Sequence, residues 1–110
     1  MNYVDFEAGN KNYKLRLNTR NIVALEKQLG GNPLSIFGSG DKLPTIQELV
    51  AVLWASAQQY HHGVSLNDAY DIFDNYLADG HIMTDFFTVV IDIYKVSGII
   101  SNDEESSVKN

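Results

Sequence analysis

Between residues 13 and 17, hydrophobic and polar side chains alternate one by one. Leu15 and Leu17 fall on one face of this segment, and Lys14 and Arg16 fall on the other. A hydrophobic period of two is typical of a β-strand that buries one face against the rest of a protein. Residues 13–17 are therefore predicted to form a half-buried strand.

A second short segment, residues 3–6, precedes this strand and is also rich in aromatic and β-branched side chains. The two segments are separated by Ala8-Gly9-Asn10-Lys11, a sequence typical of a tight turn between strands. We therefore expect a β-hairpin over residues 3–17.

From residue 18 onward the apolar residues recur every three or four positions, which is the spacing of amphipathic helices. Side chains that cap helix starts occur at Asn18, Thr45 and Ser65, and Gly30 marks a helix end. Thr45-Ile46-Gln47-Glu48 matches a capping box. A single helical turn is expected to begin at Pro33. The pattern predicts four main helices, at about 19–29, 45–61, 65–78 and 82–97.

The last of these helices carries apolar residues on more than one face, which suggests a central helix or one that is covered by a partner. Beyond residue 100 the sequence is polar and charged, and residues 101–110 are predicted to be a disordered tail. The expected protein is thus a single globular domain over residues 1–100. Its fold class is α+β, mostly α, with an N-terminal β-hairpin followed by a layer of about four helices.

Charge is distributed unevenly along the chain. Residues 1–42 carry six basic and four acidic side chains, whereas residues 43–110 carry two basic and ten acidic ones. An acidic surface repels phosphate, so we expect no binding to nucleic acid. The sequence has no apolar run long enough to span a membrane, no export signal and no cysteine. A cytoplasmic setting is expected, without disulfides.

No group of side chains has the arrangement of a catalytic or cofactor site. The three histidines, His61, His62 and His81, lack the spacing of known zinc motifs, and Asp71 and Asp74 lie on the predicted polar side of their helix. No combination of nucleophile, base and orienting group is recognisable. The chain is therefore expected to have no catalytic residue, no metal ligand and no cofactor.

Aromatic residues are the remaining candidates for a functional surface. Most are expected to lie in the core, but six tyrosines are difficult to bury in so small a domain, and tyrosine is common at protein interfaces. The candidate partner-binding residues are Trp54, Tyr60, Tyr76, Phe87 and Tyr94.

One long pattern adds a resemblance to a known family. The run YKLRLNTRNIVALEKQLGGNPLSIF is followed by LPTIQELVAVLWASAQ, then SLNDAYDIFDNYLADG, and finally a helix that ends in VSGII. Over about residues 3–100 this order resembles the small tail assembly chaperones of long-tailed bacteriophages and prophages. The family's LE(K)xLG-type segment falls on Leu25 to Gly30, and its terminal Ser-Gly falls on Ser97 and Gly98.

The resemblance implies a non-enzymatic protein of the host bacterial cytoplasm that is absent from the mature virion. Such a protein binds the tape-measure protein, keeps this long helical chain soluble and assists assembly of the tail tube, so the implied partners are the tape-measure and tail-tube proteins. The resemblance is compatible with a homo-oligomer and with a longer form made by ribosomal frameshifting. A broad apolar surface on the last helix beside acidic outer faces would suit this role.

Two other functions remain open at this point. A small α+β domain also suits another phage structural role, such as a head–tail connector. The charge asymmetry instead suits an acidic regulatory module that mimics nucleic acid.

Overall fold

A computed structural model describes residues 2–38 and 41–102, and it confirms the predicted fold class. An antiparallel two-stranded hairpin precedes four α-helices. The elements are β1 (Val4–Ala8), β2 (Lys11–Leu15), α1 (Thr19–Leu29), a 3-10 turn (Pro33–Phe37), α2 (Ile46–Ala57), α3 (Leu66–Ala78) and α4 (Asp85–Val96). Most of the predicted tail, residues 103–110, lies outside the described residues.

Local capping signals set the starts of three helices. The side chains of Asn18, Thr45 and Ser65 each accept a hydrogen bond from a backbone N–H in the first turn of α1, α2 and α3 respectively. Complete capping boxes form at α2 and α3, where Glu48 and Asp68 bond back to the N-cap residues. These contacts satisfy amide groups that otherwise have no helical partner.

Two helices are shorter than the apolar spacing suggested. α2 ends at Ala57 because the Gln58 side chain donates hydrogen bonds to the carbonyls of Trp54 and Val64, which draws the following chain back toward the helix. α4 begins at Asp85 rather than near Ile82. The backbone there makes i to i+3 bonds and Asp85 Oδ2 accepts from the Ile82 N–H, so residues 82–84 form a tight turn.

The hairpin turn needs its particular residues. Gly9 and Asn10 both have positive φ, at 59° and 65°, which identifies a two-residue type I′ turn between the paired residues Ala8 and Lys11. A side chain at Gly9 would also approach the Asn75 amide to 3.0 Å. The Gly9 N–H donates to Asp79 Oδ2 at 2.8 Å, which fixes the turn against the end of α3.

β2 is joined to the helices along its outer edge. The Arg16 N–H donates to the Ser56 carbonyl at 2.8 Å, and the Lys14 N–H donates to His61 Nε2 at 2.9 Å. Just past the strand, the Leu17 N–H donates to Ser97 Oγ at 2.9 Å. Ser97 therefore has a structural role, because its hydroxyl connects the end of α4 to the hairpin.

α2 is the central helix, whereas the sequence pattern suggested the last helix as the central one or as one covered by a partner. Eight of its twelve residues are buried, and it packs against α1, α3, α4 and β2. On α4, by contrast, the four buried residues form one helical stripe: Phe86, Val90, Ile93 and Tyr94. Small side chains at Ala51, Ala55 and Ala57 let neighbouring elements approach α2 closely.

Aromatic rings fill the space between the hairpin and the last two helices. The Phe6 ring lies 4.9 Å from that of Tyr76 and 5.4 Å from that of Phe86, and Phe73 meets Phe86 edge-on at 5.3 Å. These separations are typical of favourable aromatic pairs. The cluster holds the inner face of β1 on α3 and α4.

Tyr94 joins α4 to the 3-10 turn. Its ring is fully buried, and its hydroxyl donates to the Pro33 carbonyl at 2.8 Å. Burial, with a smaller contribution from the Glu48 carboxylate, raises the pKa of Tyr94 well above its ordinary value. The phenol therefore remains a hydrogen-bond donor throughout the neutral range.

Replacing Tyr94 with Phe should lower stability by about 1 kcal/mol, because it deletes one buried hydrogen bond while keeping the ring. Urea unfolding followed by circular dichroism measures the change. Tyr60→Phe is the matched control, since Tyr60 is exposed, and it should change stability by less than about 0.5 kcal/mol. Equal effects of the two variants would contradict a structural role for the Tyr94 hydroxyl.

Stability should fall when the pH is lowered from about 7 to about 5, in part because of His61. Its Nε2 accepts a hydrogen bond, and burial followed by the positive charge of Lys14 lowers the pKa of His61 below its ordinary value of 6.5. Below pH 6.5, His61 binds a proton more readily in the unfolded chain than in the folded chain. The contribution of His61 to the unfolding free energy is therefore fully present above pH 6.5 and is lost as the pH falls through its folded-state pKa.

His61→Gln, which keeps an acceptor without titrating in this range, isolates this contribution. The difference in unfolding free energy between wild type and this variant should change across the same pH range, whereas His62→Gln should follow wild type. A pH-independent difference for His61→Gln would show that its protonation is not linked to folding.

Candidate partner-binding surface

The structure separates the five aromatic residues that the sequence suggested for partner binding. They lie on α2, on the turn after it, on α3 and on α4, and no ring contact joins any two of them within residues 2–38 and 41–102. Tyr94 is fully buried, and Tyr76 is only 5% exposed. These two side chains therefore belong to the core. The prediction that they lie on a partner-binding surface was wrong, because both rings are buried by packing.

The other three candidates are only partly accessible. Trp54 and Phe87 are half-buried and pack against the core from α2 and α4. Tyr60 is 36% exposed, and its ring meets that of Tyr3 edge-on at 5.5 Å. Because these three side chains lie apart from one another, they do not form one continuous surface for a partner.

A groove forms instead where α1 ends and α2 and α3 begin. We call it the Tyr70 groove; it has a volume of about 410 Å³. Its lining residues are Gln28, Leu29, Thr45, Gln47, Glu48, Leu66 and Tyr70. The apolar side chains come from α1 and α3, and the polar ones come mainly from the first turn of α2.

Capping interactions shape one wall of the Tyr70 groove. Glu48 Oε1 accepts from the Thr45 N–H at 2.9 Å and pairs with Lys42 Nζ at 3.4 Å, while that ammonium also donates to the Ile36 carbonyl at 3.2 Å. These bonds hold the carboxylate at the helix N-terminus, where a negative charge is favoured. The wall is therefore fixed by backbone and ionic contacts.

Large exposed apolar side chains occur at several places on the described surface, and three of them lie in the groove or next to a groove residue in the chain. Tyr70 in the groove is 36% exposed, and Leu43 and Ile46, which flank the groove residue Thr45 in the chain, are 64% and 39% exposed. Exposed apolar residues beside a groove are typical of protein-binding sites. Most of the groove's surface is polar, and Leu29, Leu66 and Tyr70 are the apolar and aromatic residues in its lining.

Sequence reasoning did not identify this surface, for a specific reason. The apolar spacing of α3 predicts Tyr70 on the same side as Phe73 and Tyr76, yet Tyr70 lies at the edge of the buried stripe. Leu43 lies outside any helix, where periodicity gives no information. The available signal was Leu43-Pro44-Thr45-Ile46, in which two large apolar residues surround a capping residue.

The described part of the chain contains no group of three or more His, Asp or Glu residues arranged to hold a metal ion. Within the same residues, no helix combines the length and apolar character required to cross a bilayer. A polar cleft does form beside His61, with Lys11, Asp68 and Asp71 in its lining. Its histidine is already engaged with the Lys14 N–H, so that ring has a structural partner.

A protein-family model matches residues 4–110, and the family is described only as one of unknown function. No curated protein and no solved structure matches the chain.

Proposed function

The chain belongs to the family of unknown function DUF6096, and we propose that this protein is a phage tail assembly chaperone that binds the tape-measure protein through the Tyr70 groove. In this proposal it acts in the host cytoplasm without catalysis, keeps the tape-measure chain soluble and assists assembly of the tail tube around it.

The observation that carries the proposal is the exposure of Tyr70 in the groove, together with the exposure of Ile46 and Leu43 next to the groove residue Thr45 in the chain. Leu43, Ile46 and Tyr70 are accessible on a chain whose net charge is −6. A chaperone for an amphipathic helix needs an apolar contact site, and the rest of its surface must not promote self-association. Mutual repulsion between acidic copies would limit self-association while the groove is empty.

The sequence resemblance supplies the identity of the partner. The chaperone family has a hairpin followed by successive helices, and this chain has the same order of elements. Its LE(K)xLG-type segment, Leu25 to Gly30, forms the end of α1 beside the groove. Leu25 is fully buried, and Gly30 adopts the left-handed conformation with φ of 75°. The segment therefore positions Gln28 and Leu29, and it does so without contributing chemistry of its own.

The groove has room for a few side chains of a bound helix. Its volume of about 410 Å³ lies near the lower end of the range for small-molecule pockets, roughly 300–1,000 Å³. Leu or Met residues at i and i+4 of a tape-measure helix would contact Leu66 and Tyr70, and the Gln28 and Gln47 amides would border the helix backbone.

Co-expression with a tape-measure fragment tests the proposal. The wild-type chain should move most of an otherwise insoluble fragment into the soluble fraction and co-purify with it. A double variant, Ile46→Ser with Tyr70→Ala, should reduce the bound fragment at least tenfold, because it removes two exposed apolar contacts. Sedimentation and pull-down of the tagged chaperone provide the measurement.

Ile82→Ser is the matched control, since Ile82 is 62% exposed but lies between α3 and α4, away from the groove. It should bind the fragment as wild type does. If the wild-type chain leaves the fragment insoluble, the assigned partner is wrong. If the groove variant and the control bind equally well, the assigned surface is wrong.

Mass spectrometry of purified mature particles tests the role in assembly separately. A chaperone that leaves before completion should be undetectable there, whereas the tail-tube protein is abundant. Detection in stoichiometric amounts would favour the alternative of a connector or another structural subunit.

A further inference from the structure

The two outer edges of the hairpin differ in their hydrogen bonding. The edge of β2 is bonded at its end, because the N–H of Lys14 donates to His61 and the N–H of Arg16, just past the strand, donates to Ser56. The edge of β1 carries no comparable bonds: within the described residues, neither Asp5 nor Glu7 has a backbone hydrogen bond to a neighbouring element. Such an edge is a template for another strand.

The strand register shows that the backbone N–H and C=O groups of Asp5 and Glu7 point away from β2. Ala8 and Lys11 flank the two-residue turn and exchange backbone bonds, and bonded pairs then alternate with non-bonded pairs along an antiparallel hairpin. Phe6 therefore bonds to β2, whereas the N–H and C=O groups of Asp5 and Glu7 point away from it. The bonds that Lys14 and Arg16 make on the opposite edge follow the same alternation.

An apolar cleft runs from this edge to α4. It has a volume of about 360 Å³, and its lining residues are Tyr3, Val4, Asp5, Asp92, Lys95, Val96 and Asn102. A strand added beside β1 would direct alternate side chains toward the face occupied by Val4, and Val96 lies across the cleft from it. This position suits small apolar residues.

The opposite face of an added strand would meet acidic side chains. Asp5 and Glu7 are both exposed on the outer face of β1, although Asp5 Oδ1 also accepts from Asn12 Nδ2 at 3.2 Å. A residue directly beside either carboxylate is stabilised by positive charge and destabilised by negative charge.

This charge pattern argues against a second copy of the chain as the occupant. An antiparallel pairing of β1 with β1 of another copy would place Asp5 beside Glu7, or one of these residues beside its own counterpart. Each such register puts like charges in direct opposition.

We infer that the β1 edge is a docking site for an extended segment of another protein, in which basic residues alternate with small apolar ones. The segment adds a third strand to the hairpin. Its basic residues lie beside Asp5 and Glu7, and its apolar residues enter the cleft between Val4 and Val96. This surface shares no residue with the Tyr70 groove, so it is independent of the proposed function.

A synthetic peptide of alternating lysine and valine, blocked at both ends and labelled with a fluorophore, is the probe. Fluorescence anisotropy should show saturable binding that weakens as salt is raised, and a peptide of alternating glutamate and valine should not bind. Absence of binding by the lysine peptide at low salt would overturn the inference.

Proline substitution tests whether the backbone edge is used. Glu7→Pro removes an outward N–H without removing a bond to β2, and it should bind the peptide at least tenfold more weakly than Glu7→Gln, which loses the same charge but keeps the N–H. Asn12→Pro is the matched control for proline, because Asn12 is paired with Glu7 and its N–H points from the other edge of the hairpin. It should bind the peptide as Asn12→Ala does, since both variants lose the side-chain bond to Asp5. Wild-type affinity in a folded Glu7→Pro variant would overturn the inference.

Amide hydrogen exchange in the wild-type chain keeps the test decisive if a proline variant fails to fold. Saturating peptide should slow exchange of the Asp5 and Glu7 amides at least tenfold, while the Phe6 amide is already protected without peptide. Unchanged exchange at Asp5 and Glu7 in the presence of bound peptide would place the peptide elsewhere and refute docking at this edge.

Discussion

The burial of α2 is the constraint on which the rest of this structure depends. A helix that buries eight of its twelve residues must be covered on most sides, and this requires four of the other elements. β2, α1, α3 and α4 each pack against it, and Arg16 donates to the Ser56 carbonyl near its end. The hairpin thus acts as one wall of a helical core, since two strands alone would be only marginally stable in water.

Coverage of α2 concentrates the accessible features at the ends and edges of the fold. The first turn of α2, where Thr45 and Glu48 satisfy the free amides, borders the Tyr70 groove. The outer edge of β1 is likewise left without a neighbouring strand, because it is the other edge of the hairpin that faces α2. Both surfaces are consequences of how the core is closed, and they differ in chemistry: one offers exposed apolar side chains, and the other offers backbone groups beside carboxylates.

Local signals in the sequence predicted the fold well because they act over short distances. Alternation at residues 13–17, the capping box at Thr45 and the glycine at position 30 each determine structure within one turn or strand. The candidate surface was harder to predict, because exposure depends on which helix becomes central. Tyr94 illustrates the difficulty: its helical spacing was clear, but its full burial and its bond to Pro33, 61 residues away, depend on the tertiary fold.

The hairpin is completed by residues made much later in synthesis. Gly9 is bonded to Asp79 and Leu17 to Ser97, across separations of 70 and 80 residues. Long-range contacts of this kind form only after much of the chain has been ordered, which slows folding relative to a fold with local contacts. During translation the hairpin and α1 therefore gain these contacts only after α3 and α4 have been synthesised. The N-terminal segment that begins the fold is among the last to be locked into it.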